Sequence, residues 1–418
     1  MMEKEKIPKV RFKGFTDDWE QRKFQWLVDE SIIDIPMDGN HGEKHPTVAD
    51  YVESGIPFLM ASDIHNGSVD LHKCKFISEE RASKLDKGFA KNGDVLITHK
   101  ATIGEVAILK DLQTPYAMLT PQVTYYRIKD NNRLRKKYLY AWFNSDIFQN
   151  EIQSKAAQST RAYIGISAQR ELTIQMPSSI DEQEAVGNLI YNLDNLIALH
   201  QSEYDGLLQS KKAIQLKLFP KGGACVPEIR FKGFIGEWKE ETAGKIFEAY
   251  ADKGHPELPV LMATQDRGMI FRDESSINIQ HDVVNEVTYK RVLPGQFVIH
   301  LRSFQGGFAH SDKEGICSPA YTVLGFIEED QHDDYFWKYV FMSEQFIKSL
   351  TTITYGIRDG RSISYDEFLN MPFLFPSQAE QQRISECLKG FDDCLDKCQQ
   401  RLEKLRQLKK AMLEKMFA

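Results

Sequence analysis

Two stretches of the chain carry the same hydrophobic rhythm. From Ile384, apolar residues recur at Leu388, Phe391, Leu395, Cys398, Leu402 and Leu405, in alternating steps of four and three. Between them lie Gln399, Gln400, Arg401, Glu403, Lys404, Arg406 and Gln407, a polar flank suited to water. That is a heptad stripe, which predicts one long helix with a single face turned to a partner helix. The partner is in the same chain. From Val186 the same stepping gives Ile190, Leu193, Ile197, His200, Tyr204, Leu207, Lys211, Ile214 and Leu218, offset from the first stripe by 198 residues. The helix starts match, Glu182-Gln183 being answered by Glu380-Gln381, with Pro177 and Pro376 ahead of them. So do the ends, Lys217-Leu218-Phe219 and Lys415-Met416-Phe417. A shared register over this length argues for internal duplication.

The segments ahead of each helix repeat too. Pro8-Lys9-Val10-Arg11-Phe12-Lys13-Gly14-Phe15 returns as Pro227-Glu228-Ile229-Arg230-Phe231-Lys232-Gly233-Phe234, and Trp19 is answered by Trp238. The offset is larger here, which places an insertion in the first copy between Val28 and Pro57. The polar run Met37 to His45 within it reads as a surface loop. Beyond it, Gly-led turns feed short apolar runs, Val95 to His99 and Phe297 to Leu301, which predict buried strands. Second strands follow at Val123–Tyr126 and Tyr321–Leu324, then helices over 138–153 and 335–350. The expected layout is two mixed α/β (α+β) units, 1–178 and 221–377, each followed by a long helix, 179–220 and 378–418. Pro220-Lys221-Gly222-Gly223-Ala224 is the breaker-rich link between copies.

Composition narrows the class without naming a function. A chain of 418 residues with 27% charged and 42% hydrophobic residues is globular and too long for one core. No apolar run approaches a membrane span, and the opening residues lack a signal-peptide core, so a cytoplasmic protein without a membrane partner is expected. The net charge of −7 argues mildly against nucleic acid as a partner, although a local basic groove on an acidic body is compatible with it. The six cysteines form no CxxC pair and no zinc-ligand spacing. Cys387, Cys394 and Cys398, on or beside the stripe, are expected to be small core residues. Lys211 and Lys409 interrupt the stripe at equivalent positions, either to fix register or to snorkel to water. His200 is expected to be a packed polar residue.

This order of unit, helix, unit, helix resembles the specificity subunit of type I restriction–modification systems. The Arg-Phe-Lys-Gly-Phe…Trp openings and the Pro…Glu-Gln helix starts carry the resemblance over essentially the whole chain. It implies two target-recognition domains, each reading one half of a split double-stranded DNA site. It also implies an antiparallel helix pair that acts as spacer and docks two modification (methyltransferase) subunits, with restriction subunits (endonuclease/translocase) completing the complex. S-adenosylmethionine, ATP and Mg²⁺ are then expected on those partners, and no cofactor or metal in this chain. A helix of about 38 residues is roughly 57 Å long, more than the ~34–36 Å of one DNA turn.

Base reading favours Arg or Lys on guanine and Asn or Gln on adenine, with hydroxyls on phosphates. Candidates in the first unit are Ser62, Thr98, His99, Lys100, Thr102 and Arg161, with Asp63 beside them. In the second they are Thr264, Gln265, Arg267, His300, Arg302, Ser303, Gln305, Arg358 and Arg361. Arg358-Asp359-Gly360-Arg361 stands out because two guanidiniums flank a turn. The two copies differ at most of these positions, which suggests unlike half-sites.

Catalytic motifs are missing. The sequence holds no Gly-rich methyltransferase loop, no P-loop and no Ser-His-Asp grouping. Asp94 with Lys100 resembles part of a nuclease centre, but Thr98 stands where a second carboxylate would be needed to share Mg²⁺. Two other readings remain at this point: a duplicated Mg²⁺-dependent nuclease, and a structural coiled-coil adaptor.

Overall fold

A computed structural model describes residues 8–157, 162–264, 267–274, 283–300, 307–350, 354–355 and 362–417. Both stripes become single uninterrupted helices of 39 residues, a central one over Ile180–Leu218 and a terminal one over Gln378–Met416. Acidic residues sit in the first turn of each and a lysine in the last, which suits the helix dipole. The chain divides into two compact units, residues 1–204 with 397–418, and residues 205–396. Each long helix thus contributes to both units.

The first unit is built on a four-stranded antiparallel sheet in the order Thr102–Ile108, Val95–Lys100, Val123–Tyr126, Met37–Asp38. Side chains alternate across it: Val95 and Ile97 enter one core, while Leu96 enters another with Leu119 and Tyr125. A five-stranded mixed sheet in the order Tyr51–Val52, Lys75–Ile77, Ile56–Leu59, Ala117–Leu119, Phe89–Ala90 adds a second layer. The sheet is therefore covered on both faces. The first core includes Val186 and Ile190 from the start of the central helix and Leu413, Met416 and Phe417 from the end of the terminal helix. Gly187 explains how the central helix comes so close: a Cβ there would lie 2.6 Å from the backbone of Lys137 and Tyr138. Here Asp194 pairs with Lys409 and Gln201 with Arg406, so the two helices run antiparallel.

The second unit keeps the same four-stranded order with Phe308–His310, Phe297–Ile299, Thr322–Phe326 and Phe247–Tyr250. Leu218, Ile384 and Leu388 join its aromatic core, and Lys211 pairs with Asp392. The mixed α+β class expected from sequence is the class observed.

The repeated motifs turn out to be partners of one another. Arg11 forks onto the buried Glu182 carboxylate at 2.6 and 2.7 Å, and Trp19 Nε1 donates to it at 3.4 Å. In the second unit Arg230 forks onto Glu380 at 2.7 and 2.6 Å. Gln183 Nε2 donates to the carbonyls of Arg133 and Pro177, and its Oε1 accepts from Arg135 N. Gln381 does the same with Gln331, Pro376 and Asp333. The opening segments also reach the helix ends: Val10 N donates to Lys415 O and Ile229 N to Lys217 O. Phe417 then packs edge-on against Trp19 and Trp142, and Phe219 edge-on against Trp238.

Several expectations need correction. The run from Met37 is not all surface loop, because Met37 and Asp38 form an edge strand and Asp38 and Asn40 are buried. Each expected helix after the sheet is two, Lys136–Phe143 with Asp146–Ala156, and Asp334–Phe341 with Glu344–Ser349. Ser145 and Ser343 break them by accepting the N–H of Phe148 and Phe346, as N-caps do. Cys398 is buried, but Cys394, one position off the stripe, is exposed.

Candidate nucleic-acid interface

In the first unit the candidates converge on the hairpin of Val95–Lys100 and Thr102–Ile108. Ala101 turns it with a left-handed φ of 69°, leaving Lys100 and Thr102 exposed at the tip. Tyr163 bridges back to Lys100, whose ammonium lies 6.0 Å from the Tyr163 ring. The turn Ala61–Asp63 carries exposed Ser62 and packs against the strand Thr102–Ile108. Lys100 and Thr102 therefore share one exposed tip, and Ser62 is exposed on a turn that packs on the same strand. Asp63 serves the turn itself, its carboxylate accepting Met60 N at 2.7 Å.

Thr98 and His99 do not belong to that surface. Both are buried, because the sheet is covered on both faces. Thr98 Oγ1 accepts Glu105 N at 3.0 Å, closing the bulge where the hairpin register shifts. His99 Nδ1 meets Ile164 O at 3.0 Å, so it carries the proton and Nε2 does not. That Nε2 has no partner among the described residues. Burial pulls the His99 pKa down to about 4, so the ring is neutral near pH 7. Arg161 lies outside the described residues.

Sequence reasoning missed the residues around Asp38. Its carboxylate takes His41 Nε2 at 2.8 Å and the Lys87 ammonium. Burial pushes the Asp38 pKa up, but the hydrogen bonds from Lys87 and His41 outweigh it and hold the group below its ordinary value. The available signal was the polar run Met37 to His45, which carries Asp38 and His41 three residues apart. The nuclease-like Asp94 is committed elsewhere. Arg127 forks onto it at 2.9 and 2.7 Å and Lys91 N donates to it at 2.7 Å, leaving it a structural anchor.

In the second unit Thr264 is a turn former. Its hydroxyl donates to Gly268 O at 2.7 Å and accepts Arg267 N at 3.1 Å, which presents Arg267 to solvent. His300 is half-buried against Tyr321, ring centroids 4.9 Å apart, and its backbone N–H donates to Gly307 O. Gln265, Arg302, Ser303, Gln305, Arg358 and Arg361 lie outside the described residues.

Among the described residues no group of His, Cys, Asp or Glu is arranged to hold a metal ion. Nor is any described helix long and apolar enough to cross a membrane. Lys211 and Lys409 do not snorkel but pair with Asp392 and Asp194, and His200 pairs with Glu203 at 3.0 Å.

Two copies of one sheet, each clamped to a long helix, define a protein built of two duplicated units. Residues 32–209 match the family described as the type I restriction modification DNA specificity domain. The chain is 24% identical over 219 residues to the type I restriction enzyme MjaVIII specificity subunit of Methanocaldococcus jannaschii, a match covering 51% of this chain and about half (48%) of that relative. It is 21% identical to the putative MjaX specificity subunit of the same organism, over 98% of this chain and 95% of the relative. In fold it is similar to the crystal structure of a type I restriction–modification S subunit from M. genitalium, with a TM-score of 0.65, 16% identity and 99% of both chains covered. The first unit and the central helix thus carry a match to the type I restriction modification DNA specificity domain, and the chain as a whole is similar to type I specificity subunits.

Proposed function

We propose that this chain reads a bipartite, asymmetric site in double-stranded DNA, one recognition unit per half-site, and scaffolds two modification subunits. The observation that carries this reading is a shared scaffold that bears unlike polar residues on its surface. The four-stranded order and the Arg–Glu clamp are the same in both units. Yet Ser62, Lys100 and Thr102 are exposed on one and Arg267 on the other. The chain itself performs no catalysis. S-adenosylmethionine, ATP and Mg²⁺ belong to the modification subunits and to the restriction subunits that complete the assembly, which acts on DNA in the cytoplasm. Lys100 and Arg267 supply cationic contacts to phosphate or guanine. Co-expression with a cognate modification subunit, followed by mapping of methylated adenines, tests the proposal. A split site with two unlike halves is expected, and a continuous site would refute it. Cleavage of plasmid by the purified chain with Mg²⁺ would favour a nuclease instead.

A further inference from the structure

Asp194, on the central helix, serves two partners at once. Its Oδ1 faces Lys409 Nζ of the terminal helix at 2.7 Å, and its Oδ2 accepts a hydrogen bond from Tyr140 Oη at 2.8 Å. Tyr140 is a buried residue of helix Lys136–Phe143, part of the recognition domain proper. The second unit repeats the arrangement with other residues. Asp392 accepts from Tyr339 Oη at 2.7 Å and pairs with Lys211, whose ammonium lies 5.2 Å from the Tyr339 ring centroid. In each unit one carboxylate thus ties a helix of the recognition domain to both long helices.

The positions are costly ones for charge. The Asp194 side chain is 12% exposed and that of Lys409 21%, so each has given up most of its water and depends on the other. A leucine at the stripe position of Lys409 would pack without that cost. A lysine on a helix seam is the kind of residue that fixes which register the seam adopts. The first unit adds a link to the DNA-facing surface. Gly67 turns the hairpin Ile64–His65/Ser68–Val69, which follows the Ser62 turn. Its φ is +77°, and a Cβ there would lie 2.4 Å from Tyr140 Oη and 3.8 Å from Asp194 Cβ. Contact therefore runs unbroken from the segment after Ser62 through Tyr140 and Asp194 to Lys409.

We propose that Asp194 and Asp392 are positioning residues that fix the seat of each recognition domain on its stretch of the helix pair, and thereby set the tolerance for spacer length between half-sites. The proposal rests on the DNA-reading function above. With the carboxylate gone, the domain keeps its base-reading side chains but gains freedom to tilt on the helices. Half-site preference is then retained while discrimination between spacings weakens.

The test uses the full chain co-expressed with its modification subunit. The wild-type methylome supplies the half-sites and native spacing. Methylation is then sequenced over a plasmid library carrying those half-sites at the native spacing and at one and two base pairs either side. Asp194→Asn is expected to lower the preference for native spacing by about tenfold, the effect of losing one partly buried ion pair, without changing the bases preferred in either half. Tyr140→Phe should lower it less, and Asp194→Lys combined with Lys409→Asp should recover much of it. If Asp194→Asn and Tyr140→Phe both keep the wild-type preference, the proposal is overturned, whatever happens to total methylation. Should Asp194→Asn abolish methylation, the Tyr140→Phe preference alone decides. A continuous site in the wild-type methylome refutes the DNA-reading function instead, so the two failures are distinct.

Discussion

Replacing Arg11 by alanine tests the clamp that joins the opening motif to the central helix. Glu182 is buried, and Arg11 supplies both short hydrogen bonds to its carboxylate. In the variant only the Trp19 indole N–H, at 3.4 Å, remains on that carboxylate among the contacts described. Removing one partner of a buried pair costs about 3–5 kcal/mol. Because Arg11 sits at the rim of the site, with 11% of its side chain exposed, the lower figure of about 3 kcal/mol applies. In a unit of this size each kcal/mol moves the melting temperature by about 2–4 °C, so the first unit should melt roughly 6–12 °C lower. Glu182→Gln in the Arg11→Ala background should recover part of the loss, since an uncharged amide still accepts from Trp19 at a smaller desolvation cost. The second unit gives an internal comparison. Trp238 Nε1 has no partner among the described residues, so Arg230→Ala leaves Glu380 without an indole donor and should cost more than Arg11→Ala. Calorimetry on the full chain, with each transition assigned by the paired variants, measures both. A shift under about 2 °C for Arg11→Ala would show that the clamp is not a main determinant of stability.

Three further outcomes follow. Thr98→Ala should destabilise the first unit by about 1 kcal/mol, the usual value of one hydrogen bond, and leave the methylated sequence unchanged. Lys100→Ala should leave stability within about 0.5 kcal/mol and weaken methylation, and the reverse pattern would return Thr98 to the interface. Burial holds both His99 and His332 to pKa values of about 4, against 6.5 for a free histidine. The unfolded chain takes up a proton at each as pH falls through 6.5 while the folded chain does not. Stability present above pH 6.5 is therefore lost towards pH 4, by up to about 3 kcal/mol in each unit. NMR titration should find both rings neutral at pH 5.5, and a charged ring would contradict the burial argument. Finally, one heptad inserted after Leu207 together with one after Leu405 lengthens both helices by about 10 Å, close to three base pairs at about 3.4 Å each. The spacer in the methylome should lengthen accordingly, and unchanged spacing would exclude the helices as its determinant.

The parts of the fold legible in sequence are those where one local rule repeats many times. The long helices are an example, because a stripe sustained from Val186 to Leu218 has no strand reading. The Arg-Phe-Lys-Gly-Phe and Glu-Gln motifs were visible as repeats. Their mutual contact was not, because a bond between Arg11 and Glu182 spans 171 residues. Thr98 and His99 were misplaced for a physical reason. Polar residues at a strand end normally face water, but a sheet packed on both sides buries them, and their hydrogen bonds to Glu105 and Ile164 depend on a bulge and a returning segment. The serine breaks at Ser145 and Ser343 carry a readable cap signal that apolar periodicity overran. Asp38 looked like loop because its strand has two residues and gains its identity from Thr124 across the sheet.

The seat of Phe417 on Trp19 and Trp142 bears on how the chain is made. The core of the first unit is closed by Leu413, Met416 and Phe417, yet the other part of that unit ends at Tyr204. At a synthesis rate of about 5–20 residues per second, roughly 10–40 s separate the emergence of Tyr204 from that of Lys397. Through that interval Trp19, Tyr138 and Trp142 have no plug, and an apolar face meant for a helix end is open to solvent. The second unit faces no such wait, because the segment from Asp205 to Asp396 that forms it is continuous. The first unit to be synthesised is thus the last to be finished. Its nascent form should be the stage at which this protein depends most on chaperones.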